Sequence, residues 1–355
     1  MSASRSRSKV TIKDIARETG VSYSTVSRAL NDHEGTSEAT KIKVRSVAKR
    51  MGYEANTLAR SLAMNRSKLV GVLFPDLSNE FFTDILRSVS NTFSQAGYGV
   101  LIYETAWDGA MEEEGIRKVI QRMVDGIVLY PGTRISREVL ETIRQPLVIL
   151  QHETPTSVSN SAGMWPTAYV SSDNERGGEL AAEHLADCGY QRPIFFGGPE
   201  SSESNQLRLM GLERRLNELG YAELDKRWVT GAYSIESGYH RWRDLVQVYE
   251  DEALELPDVI VSGNDHIAIG CMHGIGESGF ELASEIGVIG FDDVQLASLP
   301  QIQLTTVHLP RDVVGKEAAE HLLTLMEDPQ ESSVYQKLLV PTLIARKTTK
   351  VVGKA

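Results

Sequence analysis

At 355 residues, with 41% hydrophobic and 24% charged side chains, the chain is long enough for more than one domain. Its net charge of −11 hides two parts of opposite sign. Residues 1–68 carry 14 Lys and Arg against 6 Asp and Glu, net +8, which leaves 23 against 42, net −19, for the remainder. Two cysteines without a CxxC pair exclude a disulfide scaffold, and no phosphate loop with lysine, GxSxG or HExxH is present. No catalytic residue, cofactor or metal site is therefore expected. An apolar leader core is missing and no stretch reaches ~18 apolar residues, so the expectation is a cytoplasmic protein that does not enter a membrane.

The first elements are two short helices and a turn in TIKDIARETGVSYSTVSRALN, Thr11 to Asn31. Thr11 N-caps the first, Asp14 is its acidic first-turn partner, and Ile12, Ile15 and Ala16 make the apolar face. Gly20 stops it. Ser22 caps the second helix, which packs back through Val26, Ala29 and Leu30. Its outward face is then Tyr23, Ser24, Thr25, Ser27 and Arg28, hydrogen-bonding side chains with a single charge, which fits a base-reading surface, an ordinary solvated helix hairpin being the alternative on these residues alone. A third helix, capped by Ser37 and ended by Gly52, places Val44, Val47, Ala48 and Met51 on one face and completes a small core. A basic module on an acidic body is the electrostatic footprint of a DNA reader, because Lys and Arg release counterions from phosphate.

These residues resemble the lactose-repressor (LacI/GalR) family of bacterial transcription regulators, and the match extends from Val10 to about Thr349. In that family the positions of Tyr23, Ser24 and Arg28 read bases. The run from Ala55 to Ala63 resembles the family's hinge helix, which folds on operator DNA; Asn56 can cap it, and Leu58, Ala59 and Leu62 share a face. The resemblance implies that Leu62 wedges into the minor groove, trading base unstacking for a bent site. Where the family usually has proline before the hinge, this chain has Ala55. The expected DNA-contacting set is thus Thr11, Ser22, Tyr23, Ser24, Thr25, Ser27, Arg28, Asn31, Asn56, Ala59 and Leu62.

Beyond the hinge, apolar runs alternate with amphipathic helical segments. The first set is LVGVLFP (69–75), a helix from Glu80, VLIYE (100–104), a helix from Met111, GIVLYP (126–131) and PLVILQ (146–151). A second set runs from AYVSS (168–172) through PIFFGG and DVIVSG to EIGVIGFDD, with helices from Asn174, Ser204, Ser234 and His266. Repeated strand, helix, strand means doubly wound parallel sheets in two α/β lobes with a cleft at the strand ends. The expected organisation is a small all-α headpiece (1–55), a hinge (56–67) and a two-lobe core (68–349), and the resemblance implies that this core has the fold of a periplasmic sugar-binding protein. In that fold the chain crosses between lobes more than once, which implies lobe 1 at about 68–167 with 310–328 and lobe 2 at about 168–309 with 329–349.

Polar residues collect where strands finish: Ser78, Asn79, Gln151, Asn264, Asp265, Asp292 and Asp293, with aromatic Phe81 and Phe82 beside them. Aromatic faces with amide, carboxylate and guanidinium groups suit a polyhydroxylated ring. The resemblance assigns sugar-holding roles to Ser202, Ser204 and Arg208, to Asn264 and Asp292, and a cleft wall to Tyr233; Phe81 and Phe82 align with ligand-contacting aromatics. The family commonly has aspartate where Gln151 stands, which widens the expected ligand to a modified or acidic sugar. Plain helix core for Phe81 or Phe82, a structural carboxylate pair for Arg208 and a turn role for Asp293 stay open. His184 and Cys188, at i and i+4, read as packing and a surface imidazole rather than metal ligands.

The reading is a dimeric repressor of carbohydrate-use genes on near-palindromic operator DNA, released by a sugar or sugar derivative. A purine-type corepressor regulator and a sugar-binding protein without DNA function are the alternatives. Only VVGKA follows KLLVPTLIARKTTK, without the family's tetramer-forming leucine repeat, which favours a homodimer.

Overall fold

The computed structural model describes residues 10–30, 35–53, 66–133, 137–150, 167–328 and 335–351, and the chain divides into two compact units, Met1–Ser67 and Lys68–Ala355. In the first unit the helices are α1 (Ile12–Thr19), α2 (Tyr23–Leu30) and α3 (Glu38–Met51). Thr11 and Asp14 form a reciprocal capping box, and Gly20 closes α1 with φ 71°, a left-handed turn that glycine adopts without strain. Ser22 Oγ accepts the Thr25 amide at 3.2 Å, and Ser37 caps α3. Ile15, Val26, Ala29, Val44, Val47 and Ala48 are the buried core. Lys43 donates to the Thr19 carbonyl at 2.9 Å and so holds α3 against the end of α1.

The second unit holds two sheets. The first has six strands in the order β10-β5-β4-β3-β1-β2, all parallel: β1 (Leu69–Phe74), β2 (Gly99–Glu104), β3 (Gly126–Leu129), β4 (Leu147–Ile149), β5 (Thr167–Ser172) and β10 (Tyr335–Leu339). The second has five in the order β11-β9-β8-β7-β6: β6 (Pro193–Phe196), β7 (Val259–Ser262), β8 (Gly287–Asp292), β9 (Thr305–His308) and an antiparallel edge, β11 (Thr342–Ile344). Inner strands are buried on both faces, as crossover helices require. Val70, Val72 and Phe74 belong to the same apolar core as Ile85, Val89 and Phe93 of helix α4 (Glu80–Gln95), while Leu73 points the other way, into the core that includes Ile116 and Val119 of α5 (Gly109–Gln121). A one-turn α6 (Arg137–Leu140) precedes β4.

In lobe 2, α7 (Asn174–Asp187) and α8 (Glu203–Glu218) pack closely: a Cβ on Gly178 or Gly211 would run into the facing backbone at Arg208 or Glu175. Helices α9 (Ile235–Asp251) and α10 (Asp265–Glu277) cover the other face through Trp242, Ile267, Cys271 and Ile275. Helix α11 (Arg311–Glu327) returns to lobe 1 and packs on α4 and on β3 to β5.

Two boundaries differ from the sequence expectation. Residues 168–172 open no second lobe: β5 pairs with β4, Val148 opposite Ala168, and belongs to the first sheet. The crossing comes at Asp173, whose side chain caps α7 by accepting the Arg176 amide. Likewise 329–349 does not belong wholly to lobe 2. β10 pairs with β5, and the chain crosses at 340–341 to place β11 beside β9. A strand buried on both faces reads the same in either sheet, so its apolar run carries no address.

Candidate functional site

The headpiece presents α2. Tyr23 is 55% exposed, Ser24 and Arg28 are exposed, and Thr25 and Ser27 are half-buried. Ser22 Oγ lies 2.9 Å from Ser24 Oγ and 2.8 Å from Thr25 Oγ1, so the three hydroxyls form one cluster at the helix N-terminus. Thr11 is exposed, its hydroxyl donating to Asp14 at 2.7 Å. Asn31, Asn56, Ala59 and Leu62 lie outside the described residues, as does the Ala55–Ala63 segment as a whole.

In the second unit, the loops at the carboxyl ends of both sheets converge. Asn79 after β1, Trp107 after β2, Tyr130 after β3, Ser204 after β6, Asn264 after β7 and Asp292 at the end of β8 line one cleft with Phe81, Phe82, Arg208 and Tyr233. Ser202 adjoins it, 3.0 Å from Ser204 Oγ and 3.1 Å from Tyr233 Oη. Every expected ligand residue except Gln151 is brought together; Gln151 lies outside the described residues. The side chains close on one another: Tyr130 Oη of lobe 1 is 3.2 Å from Ser204 Oγ of lobe 2, and Ser201 Oγ donates to the Gly132 carbonyl at 3.1 Å. These contacts join the two lobes across the cleft, so a ring-sized molecule parts them as it enters.

Arg208 organises the lobe 2 half. Its Nε donates to Asn174 Oδ1 at 2.9 Å, Nη1 to the Gly263 carbonyl, and Nη2 pairs with Asp292 at 3.3 Å, both side chains nearly inaccessible. The guanidinium stands 4.8 Å from the Phe291 ring centre. Burial pushes the Asp292 carboxyl up, opposed by Arg208 and Arg311. Burial, reinforced by neighbouring Asp292, pushes Asp265 well above the usual range; Asp265 accepts from Thr306 Oγ1 at 2.6 Å and the Val294 amide at 2.8 Å. Desolvation raises the Tyr130 and Tyr233 hydroxyls as well, so both stay neutral donors. Asp293 is a turn residue, φ 56°, tied to Arg346 at 2.6 Å and His308 at 3.1 Å.

Glu112 lies beneath the cleft's lobe 1 rim, accepting from the Gly132 amide at 2.7 Å. Burial holds its carboxyl above the ordinary value. A carboxyl raised on folding contributes stability below its unfolded pKa that is lost as pH rises through the folded one. Glu112→Gln, which keeps the acceptor, is expected to raise the melting temperature more at pH 8 than at pH 5; parallel profiles would contradict this.

Sequence reasoning missed Trp107, Tyr130 and Asn174. Tyr130 sits in the apolar run GIVLYP and reads as core, and Trp107 follows a strand in a loop without periodicity. His184 is a correction. It is a buried imidazole, not a surface one, its Nε2 2.9 Å from Thr349 Oγ1, because residues 348–350 fold over α7; burial lowers its pKa. Cys188 donates to the Lys350 carbonyl at 3.1 Å. Among the described residues no group of three or more His, Cys, Asp or Glu could hold a metal, and no helix is long and apolar enough to cross a membrane.

The family model of bacterial regulatory proteins of the lacI family matches residues 11–56, and that of the periplasmic binding protein-like domain matches residues 182–349. The ribose operon repressor of Escherichia coli (strain K12) is 31% identical over 340 residues, spanning 95% of this chain and 98% of that protein. The HTH-type transcriptional repressor PurR of Vibrio atlanticus is 28% identical over 347 residues, 97% of this chain and 99% of the relative. Of the solved structures, the lac repressor dimer bound to operator and the anti-inducer ONPF is similar with a TM-score of 0.83 at 26% identity, covering 97% of this chain and 100% of that one.

Proposed function

Because the chain belongs to the lacI family of bacterial regulatory proteins, we propose that it is a DNA-binding repressor of carbohydrate-use genes, released when a sugar or sugar derivative enters its cleft. One observation carries the reading: a single chain holds a capped helix pair with a polar outward face inside a basic N-terminal segment and, separately, a cleft of hydroxyl, amide and aromatic groups at converging strand ends. Two headpieces on a two-fold axis read a near-palindromic operator in the cytoplasm, with Tyr23, Ser24 and Arg28 at base edges and Thr11, Ser22, Thr25 and Ser27 at the backbone. Asn31, Asn56, Ala59 and Leu62 extend the contact, Leu62 as the minor-groove wedge.

Phe81, Phe82, Gln151, Ser202, Ser204, Arg208, Tyr233, Asn264 and Asp292 hold the ligand. Its relatives are transcriptional regulators, and no reaction, cofactor or metal enters this reading. Control requires the ligand to favour one lobe arrangement. A ~100-fold change in operator affinity needs about 2.7 kcal/mol of coupling. Titration of operator DNA with and without ligand tests the direction: weakening marks an inducer, tightening a corepressor of the purine type.

Arg28→Ala is expected to cost about 1–3 kcal/mol on the operator and to relax preference at one base position. Fluorescence anisotropy on operator and scrambled duplexes checks it, and equal losses on both would remove Arg28 from base reading.

A further inference from the structure

We propose that Trp107 sets the ligand class of this cleft, and that the class is a neutral pyranose with equatorial substituents. The inference deepens the effector reading above and rests on it. Trp107 follows β2 on a loop that is left-handed twice in succession, φ 51° at Ala106 and 58° at Trp107, a conformation disfavoured for side chains other than glycine's. The loop is pinned: the Thr105 amide donates to the Phe74 carbonyl at 2.9 Å, the Asp108 amide to the Thr105 carbonyl at 2.9 Å, and a Cβ on Gly132 would stand 3.1 Å from Trp107 Cα. This turn sets the indole in the cleft wall, ring centres 6.0 Å from Phe82 of lobe 1 and 5.5 Å from Tyr233 of lobe 2. The Trp107 and Tyr233 rings are tilted 53° to one another, so a ring entering as the lobes part meets an aromatic face on each lobe.

Aromatic faces take C–H surfaces and reject hydroxyls. A pyranose with equatorial hydroxyls shows C–H groups to both faces and directs every oxygen outward. Groups around that rim match. Asn79 and Asn264 each use Oδ1 to cap a helix, accepting the Phe81 and Ile267 amides at 2.9 Å, which leaves their NH₂ groups as donors. Asp292 accepts, and Ser204 can do either. Arg208 is the one cation among the described lining residues, and Asn174, Gly263 and Asp292 engage it, with Asp292 balancing its charge. Among the described lining residues a carboxylate or phosphate therefore finds no cation that is not already engaged.

The test is calorimetric titration of the full chain with D-glucose, D-xylose, D-galactose, D-ribose, D-gluconate and hypoxanthine, for the native protein, Trp107→Phe and Trp107→Ala, after melting curves verify that both variants fold. D-Glucose or D-xylose is expected to bind about tenfold tighter than D-galactose. Trp107→Ala is expected to weaken that sugar about tenfold and erase the preference, while Trp107→Phe stays within about threefold. If the native protein binds a sugar and Trp107→Ala leaves affinity and preference unchanged, the role of Trp107 is overturned and the effector reading stands. Preference for D-ribose, D-gluconate or hypoxanthine overturns the ligand class. If nothing binds and nothing alters DNA affinity, the effector reading falls and takes this proposal with it.

Discussion

Removal of residues 1–67 is expected to abolish sequence-selective DNA binding, a loss of about a thousandfold or more, while sugar affinity stays within about threefold. The cut falls where the chain divides into two units, Met1–Ser67 and Lys68–Ala355, each with its own buried core. It takes away nearly all of the +8 carried by residues 1–68 and leaves a body with net charge near −19. Such a body repels a polyanion and releases few counterions, so its residual affinity should be weak even at low salt. The described cleft residues lie entirely in the second unit. Retained operator affinity in the truncated protein would contradict the headpiece assignment; lost sugar affinity would contradict the independence of the cleft.

Arg208→Ala is expected to remove the ligand response and to destabilise the core by about 3–5 kcal/mol, because the substitution strands a buried Asp292 carboxylate. The melting temperature should fall by roughly 10 °C in a unit of this size. Arg208 also ties α8 to Asn174 of α7 and to the Gly263 carbonyl, so three elements lose a common partner. Replacing both members, Arg208→Met with Asp292→Asn, should recover much of the stability and none of the response. That pattern separates the two roles. A single variant that melts like the native protein would show that the pair carries no structural weight, and an intact response would remove Arg208 from the site.

The headpiece was legible residue by residue, because its signals are local. Thr11, Asp14, Gly20, Ser22, Ser37 and Gly52 cap or stop the helices that the sequence assigns to them. Strand runs such as 69–74 and 126–129 were equally plain. Sheet membership was not: β5 and β10 are adjacent in space but more than 150 residues apart in sequence, and neither apolar pattern names a partner. The cleft divides the same way. Asn264 and Asp292 stand at strand ends, where polar groups follow apolar runs. Tyr130 has its ring in the core while its hydroxyl reaches Ser204 across the lobes. Trp107 depends on a left-handed backbone that only its tertiary neighbours impose. His184 was misread because the residues that bury it arrive some 165 positions later.

The central claim is that one chain reads DNA with its basic end and changes that reading through its cleft. Selection of genomic duplexes by the full-length protein, followed by titration of the selected site at several salt concentrations with and without sugars, measures this directly. The account predicts a near-palindromic site, affinity that falls steeply with salt, and a ligand-induced change of about a hundredfold. Affinity that is indifferent to sequence, or a selected site whose binding no sugar or other metabolite alters, would contradict it.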